Sequence, residues 1–179
     1  MKIIPVILCG GAGTRLWTNS KNYQAKQFIN FGGWSLLEKT LYRIKSNIYD
    51  YPIISTNSKY IKNVKSVLKK CKISKYKIIL EPSKRNTGPA ILSSALIKSI
   101  SYDQPMIFFP SDHLIENNLL FNKILKKNKK YLNNRNIFLF GIKPKSPSNE
   151  YGYFIIKKIN KNVNKVIKFI EKPPKTLAK

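Results

Sequence analysis

Val6-Ile-Leu-Cys-Gly-Gly-Ala-Gly-Thr-Arg-Leu-Trp17, followed by Lys26-Gln27-Phe28, is the stretch on which the reading of this chain turns. An apolar run with the character of a buried strand stops at Gly10-Gly11-Ala12-Gly13, and Thr14-Arg15 follow at once. Closely spaced glycines let the backbone turn sharply and bring bare N–H groups near a ligand. Such donors at the carboxyl edge of a parallel sheet form an anion site, and the Arg15 fork suits phosphate oxygens. Lys26 adds a compact second cation. The glycines alone would serve equally well as a tight turn beside a solvated arginine; Arg15 and Lys26 tip the balance to a phosphate-handling loop. Two commoner loops do not fit. The dinucleotide fingerprint needs a glycine where Leu16 stands and an acidic residue ending the second strand, which here ends in Ser55-Thr56-Asn57. The Walker A loop needs Gly-Lys-Ser/Thr, where this chain has Gly13-Thr14-Arg15.

The chain has 179 residues, enough for one domain or most of one with a real core. No apolar run reaches the length of a membrane span, and the N-terminal apolar run enters the glycine loop directly, as a strand would and a signal peptide would not. Cys9 and Cys71 lack metal-ligand spacing and read as reduced thiols of a cytoplasmic protein. With 34 Lys+Arg against 8 Asp+Glu, the formal charge is +26, which raises the question of nucleic acid. The lysines are dispersed and accompanied by abundant Asn and Ile, and no recognition helix, zinc finger or RNP-type aromatic motif occurs among them. Compositional drift accounts for that pattern better, and no specific nucleic-acid partner is expected. The field would still draw in nucleotides and sugar phosphates.

Short β-branched runs alternate with helical periodicity, the pattern of a parallel sheet covered by helices. Strands are expected over 3–8, 52–55, 76–80, 106–109 and 137–140. Helices are expected over 35–46, 59–71, 87–100 and 119–131. Leu37, Leu41 and Ile44 form one apolar stripe in the first helix, and Thr87 is a candidate N-cap ahead of Pro89. After Gly141 the texture changes: 153–156 and 163–170 read as strands of a mixed or antiparallel extension without a helix between them.

Open α/β sheets bind ligands beyond the carboxyl ends of their strands, and each remaining motif lies at such an end. Glu81-Pro-Ser-Lys-Arg-Asn-Thr-Gly-Pro-Ala-Ile91 leads into a helix N-terminus, which favours an anion or a polar base edge. A capped, proline-turned loop explains Thr87 and Pro89 but not Arg85-Asn86. Pro110-Ser111-Asp112-His113 places a carboxylate where it could hold a hard cation or cap a helix. His113 is the only histidine and reads as a supporting or structural group, not a catalytic base. Phe140-Gly-Ile-Lys-Pro-Lys-Ser-Pro147, Tyr151-Gly152-Tyr153 and Phe169-Ile-Glu-Lys-Pro173 complete the set.

Taken in order from residue 6 to residue 173, these blocks resemble the sugar-nucleotide pyrophosphorylases, most of all the bacterial type of mannose-1-phosphate guanylyltransferase. The chain departs from the family pattern by losing the prolines around Trp17 and Gln24, by Gly88 in place of alanine, and by Ser148-Asn149-Glu150 before Tyr151. The resemblance implies an α/β, Rossmann-like (glycosyltransferase-A-like) nucleotidyltransferase fold. It would have a mixed, mostly parallel sheet with helices on both faces, and one catalytic domain over 1–179. It implies transfer from GTP to mannose 1-phosphate, giving GDP-mannose and pyrophosphate. Arg15 would hold the pyrophosphate and Lys26 would stabilise charge around the α-phosphate. Leu8, Gly10, Gly11, Gly13, Thr14, Arg85, Asn86 and Gly88 would line the nucleotide. Asp112 would hold Mg²⁺, and Gly152, Glu171 and Lys172 would meet the sugar phosphate. Relatives of this kind continue past the last block to a sugar-contacting turn and a second metal aspartate. The chain is therefore expected to be weakly active or inactive alone, with apolar surface near 163–170 that pairs with itself or with a complementing chain. The alternatives are a pyrophosphorylase for another sugar or base and a sugar-nucleotide-binding remnant without full activity.

Overall fold

The computed structural model describes residues 2–11, 25–82, 87–97, 101, 103–132, 136–160 and 163–178. They fall into two compact units, Met1–Asn134 and Arg135–Lys179.

The first unit opens with β1 (Ile4–Leu8). A short hairpin, β2 (Asn30–Phe31) and β3 (Trp34–Ser35), turns through Gly32 and Gly33 at φ +66° and +86°, a backbone that other residues rarely adopt. Then come α1 (Leu36–Arg43), β4 (Ile53–Asn57), α2 (Ile61–Lys70) and β5 (Lys77–Glu81). They are followed by α3 (Thr87–Ala95), β6 (Met106–Pro110) and α4 (Asn118–Asn128). Strands β5-β4-β1-β6 lie side by side in that order, and every pairing is parallel. The period of two along β1 splits the core. Ile3 and Ile7 face Leu37, Leu41, Val64, Leu68, Phe109 and Leu125 from α1, α2, β6 and α4. Ile4 and Val6 face the other way, with Ile53, Ile79 and Phe108, on the side that carries Ile97 after α3. Helices on both faces of a parallel sheet are what the alternation of elements calls for.

Local chemistry sets the ends. At the start of α1 the Ser35 hydroxyl accepts the Glu38 N–H at 3.2 Å while the Glu38 carboxylate accepts the Ser35 N–H, a reciprocal capping box. Helix α2 closes on Lys72 at φ 56°, with the Ile73 N–H donating to the Leu68 carbonyl at 3.0 Å, a Schellman closure made without glycine. Asn117 caps α4 by accepting the Leu120 N–H at 2.8 Å. Several expected bounds move. The first helix ends at Arg43, and the second starts in a 3-10 turn, Ser58–Tyr60, ahead of α2. Thr87 lies inside α3, not ahead of it, and residues 98–100 are outside the described set. No strand forms at 137–140, where the backbone takes up no regular structure. The continuous apolar run Ile137-Phe-Leu-Phe140 is there, but a strand also needs a neighbour for its ladder.

The second unit is a two-stranded antiparallel sheet, β7 (Gly152–Lys158) and β8 (Asn164–Glu171). Phe154 faces Phe169 across it with ring centroids 5.5 Å apart. The register shifts by one between Ile155 and Ile156, leaving Ile167 as the bulged residue. Ile155, Ile156, Ile167 and Phe169 are all exposed. No helix among the described residues is long and apolar enough to cross a membrane.

Candidate active site

Parallel pairing of β1 with both β4 and β6 brings three strand ends to one edge. Leu8 is in register with Ser55 of β4 and with Pro110 of β6, so the chain leaving β1 meets the chain leaving β6 immediately. Hydrogen bonds fix this junction. Cys9 N–H donates to the Ser55 carbonyl at 2.7 Å, and Ser111 N–H donates to the Leu8 carbonyl at 3.2 Å. The Cys9 carbonyl accepts from the buried Thr56 hydroxyl at 3.1 Å and from Gln27 Nε2 at 3.3 Å. Gln27 Nε2 also donates to the Gly11 carbonyl at 3.1 Å. That amide therefore ties a 3-10 turn, Lys26–Phe28, to the start of the glycine loop.

The consequence is at Lys26. Its Nζ lies 3.2 Å from Asp112 Oδ2, so two residues 86 positions apart (112 − 26) share one point on the sheet edge. Both side chains are about one-third exposed, at 29 % and 36 %. A pair this open to water is worth about 0–1 kcal/mol. It holds two opposite charges together at rest and gives them up readily to a ligand that offers each a better partner.

Gly10 lies against the Glu81 carboxylate. A β-carbon there would lie 2.6 Å from Glu81 Oε2, so the Glu81 carboxylate occupies the space beside the bare backbone. Glu81 ends β5, and its Oε1 accepts the Ser55 hydroxyl at 2.6 Å. Gly11 and Gly88 have open space where a side chain would project. Cys9 is fully buried, and burial pushes its thiol up to about 12, so it takes no part as a nucleophile. The His113 side chain is exposed, and its carbonyl accepts from Arg43 Nη2 at 3.3 Å.

Of the residues singled out in the sequence, Leu8, Gly10, Gly11, Lys26 and Asp112 come together at this edge, and Gly88 opens α3. Gly13, Thr14, Arg15, Arg85 and Asn86 lie outside the described residues. In the second unit Gly152, Glu171 and Lys172 gather at one end of the hairpin. Gly152 is in register with Glu171, and Lys172 N–H donates to the Tyr151 carbonyl at 3.0 Å. Lys172 sits at φ 46°, left-handed backbone that is uncommon for a lysine. The space beside Gly152 is filled by the Phe169 ring and the Glu171 carboxylate, so packing alone already demands glycine there. Glu81, Gln27 and Thr56 were not recognisable as site residues from the sequence. Their place depends on which strands are neighbours; the sequence signal was membership of the Lys26-Gln27-Phe28 and Glu81–Ile91 blocks for Gln27 and Glu81, and position at a strand end for Thr56.

Among the described residues no group of three or more His, Cys, Asp or Glu could hold a metal ion. Asp112 is a single hard-oxygen donor, which fits a Mg²⁺ that shares its shell with nucleotide phosphates and water but not a resident transition metal.

A mannose-1-phosphate guanylyltransferase of Escherichia coli is 32% identical over 182 residues, which cover 98% of this chain and 39% of that protein. The chain thus spans about two fifths of that relative's length. A Thermus thermophilus structure described as a mannose-1-phosphate geranyltransferase superposes with TM-score 0.81 at 24% identity, over 99% of this chain and 52% of its own. A Helicobacter pylori structure described as a mannose-6-phosphate isomerase gives TM-score 0.77 at 28% identity, over 99% of this chain and 63% of its own. The sequence profile described as nucleotidyl transferase matches residues 4–179, from the first residue of β1 onward. The chain belongs to the nucleotidyl transferase family.

Proposed function

We propose that this chain carries the nucleotide-binding and transfer machinery of a mannose-1-phosphate guanylyltransferase, acting on GTP and mannose 1-phosphate. The observation that carries the reading is the meeting of Lys26 and Asp112 beside Gly10-Gly11 at the carboxyl edge of the sheet. The E. coli relative bears that activity in its name.

In the reaction an oxygen of the sugar phosphate attacks the α-phosphorus of GTP in line, and the bond to the bridging oxygen breaks to release pyrophosphate. No protein nucleophile is needed, so the protein's task is positioning and charge neutralisation. Lys26 turns from Asp112 to the α-phosphate, and Arg15 takes the departing pyrophosphate. Asp112, relieved of Lys26, would hold Mg²⁺, which when bound would supply Lewis-acid charge and a template for the phosphates. Gly11 N–H and the residues that follow line the triphosphate, and Arg85, Asn86 and Gly88 border the nucleoside. Glu81 is an acceptor-only carboxylate, matched to the paired N1–H and N2 amino donors of guanine. Glu171 accepts from sugar hydroxyls and Lys172 pairs with the sugar phosphate. The reading assigns the reaction to the cytoplasm, in keeping with Cys9 and Cys71 as free thiols.

Calorimetry of nucleotide binding, with and without Mg²⁺, tests it, together with an assay for GDP-mannose. GTP is expected to bind in a magnesium-dependent manner and more tightly than ATP, with mannose 1-phosphate preferred over glucose 1-phosphate as acceptor. Equal binding of GTP and ATP would overturn the guanine assignment, and absence of any nucleotide binding would overturn the whole reading.

A further inference from the structure

Arg43 ends α1 and is 1 % exposed, yet it has no carboxylate partner; the ion pairs among the described residues are Lys26–Asp112 and Lys70–Glu38. Its Nε donates to Asn118 Oδ1 at 2.9 Å and its Nη2 to the His113 carbonyl at 3.3 Å. The guanidinium lies over the Phe109 ring, 5.5 Å from the centroid, and Nη1 is buried without a hydrogen-bond partner. Burial draws its pKa down from the usual arginine value. A buried cation satisfied only in part is costly, and an apolar side chain would fill the same space more cheaply. The return on that cost is legible in what Arg43 grips. His113 and Asn118 bracket the connection from β6 to α4, and Phe109 is the next-to-last residue of β6. Asn122 Nδ2 in turn donates to the Arg43 carbonyl at 3.1 Å, so α1 and α4 are bound through the same residue.

Asp112 therefore stands between two anchors. On one side the Ser111 N–H is held by the Leu8 carbonyl of β1, and on the other the His113 carbonyl is held by Arg43. We propose that Arg43 is a positioning residue, whose buried guanidinium fixes the 111–118 connection so that the Asp112 carboxylate is presented at the sheet edge against Lys26. A planar fork does this more fully than lysine, because one group must reach a side-chain amide and a backbone carbonyl in fixed directions.

The inference rests on the functional reading for its consequence but not for its geometry, so the test has two arms. In the first, amide hydrogen exchange is followed by mass spectrometry in Arg43→Met, Arg43→Lys and Asn118→Ala. The last keeps the buried charge and guards against a Met variant that does not fold. Peptides covering 111–117 are expected to exchange about tenfold faster in Arg43→Met, with Asn118→Ala moving the same way and β4 unchanged. In the second, GTP affinity is measured with and without Mg²⁺. Affinity with Mg²⁺ is expected to fall about tenfold and affinity without it to hold, with partial recovery in Arg43→Lys and no further loss when Asp112→Asn is already present. Unchanged exchange across 111–117 in the folded variants overturns the proposal. So does faster exchange with magnesium-dependent affinity intact. A native chain that binds no GTP counts against the functional reading, and the exchange arm still decides the tether.

Discussion

At the scale of single residues, the two charges that meet at the sheet edge make opposite demands on stability and activity. Lys26 and Asp112 are both about one-third exposed, so separating them costs the fold about 0–1 kcal/mol. The same lysine facing an α-phosphate in a water-excluded complex is worth about 3–4 kcal/mol in the transition state. Lys26→Ala is accordingly expected to lower turnover about 10²–10³-fold while shifting the unfolding midpoint little. Asp112→Asn keeps the side chain's size, and calorimetry should show weaker magnesium-dependent GTP binding with thermal unfolding unaltered. Near-native turnover in a folded Lys26→Ala chain would remove that lysine from the mechanism. Glu81 offers a sharper test because it bears on which base is read. Glu81→Gln replaces one acceptor oxygen by a donor, so the preference for GTP over ATP should narrow about tenfold. The Ser55 bond at 2.6 Å has an acceptor oxygen to retain. A GTP/ATP affinity ratio unmoved by that change would show that the base is read elsewhere. Lys26 could be singled out from its block Lys26-Gln27-Phe28 after the glycine loop, and Asp112 from its place just past the apolar run of β6, where a helix cap was the other reading. Glu81 could not, since its meaning comes from Gly10, 71 positions earlier (81 − 10), and from β4 lying between their two strands.

At the scale of elements, α1 shows how local chemistry and a distant charge combine. Burial pushes the Glu38 carboxyl up, but the Lys70 ammonium at 2.6 Å and the bonds from the Ser35 N–H and hydroxyl outweigh it and hold the carboxyl below its usual value of 4.5. A carboxyl lowered in the folded state adds stability above its unfolded value, and that contribution is lost as pH falls through the folded value. Glu38→Gln is therefore expected to cost about 1–2 kcal/mol at pH 7 and progressively less in acid below 4.5, as the native chain loses the same term. Denaturant unfolding of both chains across that range checks it; a difference that stays constant would mean the charge of Glu38 contributes nothing. The capping box could be read from Ser35 and Glu38, three apart ahead of an apolar stripe, whereas Lys70 as partner depended on α1 and α2 being neighbours. The same limit explains the strand expected at 137–140. Strands β1, β4, β5 and β6 were legible because each carries a short apolar, mostly β-branched or aromatic run between helical stretches. At 137–140 the pattern gave the residues but not the neighbour whose ladder a strand requires.

At the scale of the molecule, two properties of the chain oppose each other. A two-stranded antiparallel sheet is marginal in water by itself, and β7–β8 leaves Ile155 at 48 %, Ile156 at 54 %, Ile167 at 56 % and Phe169 at 52 % exposure. A surface of that kind gains from being covered, whether by a second copy or by a complementing chain. Against this stands a formal charge of +26, which repels one copy from another wherever the field is not screened. The screening length shrinks from about 30 Å at 0.01 M salt to about 3 Å at 1 M, whereas apolar attraction is not screened away. Self-association is therefore expected to strengthen as salt rises, the reverse of what an ionic interface or a nucleic-acid contact would do. Sedimentation equilibrium across that salt range should show monomer at the low end and a growing dimer fraction at the high end. Ile167→Lys, at the bulge where no cross-strand partner is lost, should abolish the dimer without unfolding the hairpin. A chain that stays monomeric at every salt concentration, or whose dimer survives Ile167→Lys, would mean that the hairpin face is not the surface through which copies meet.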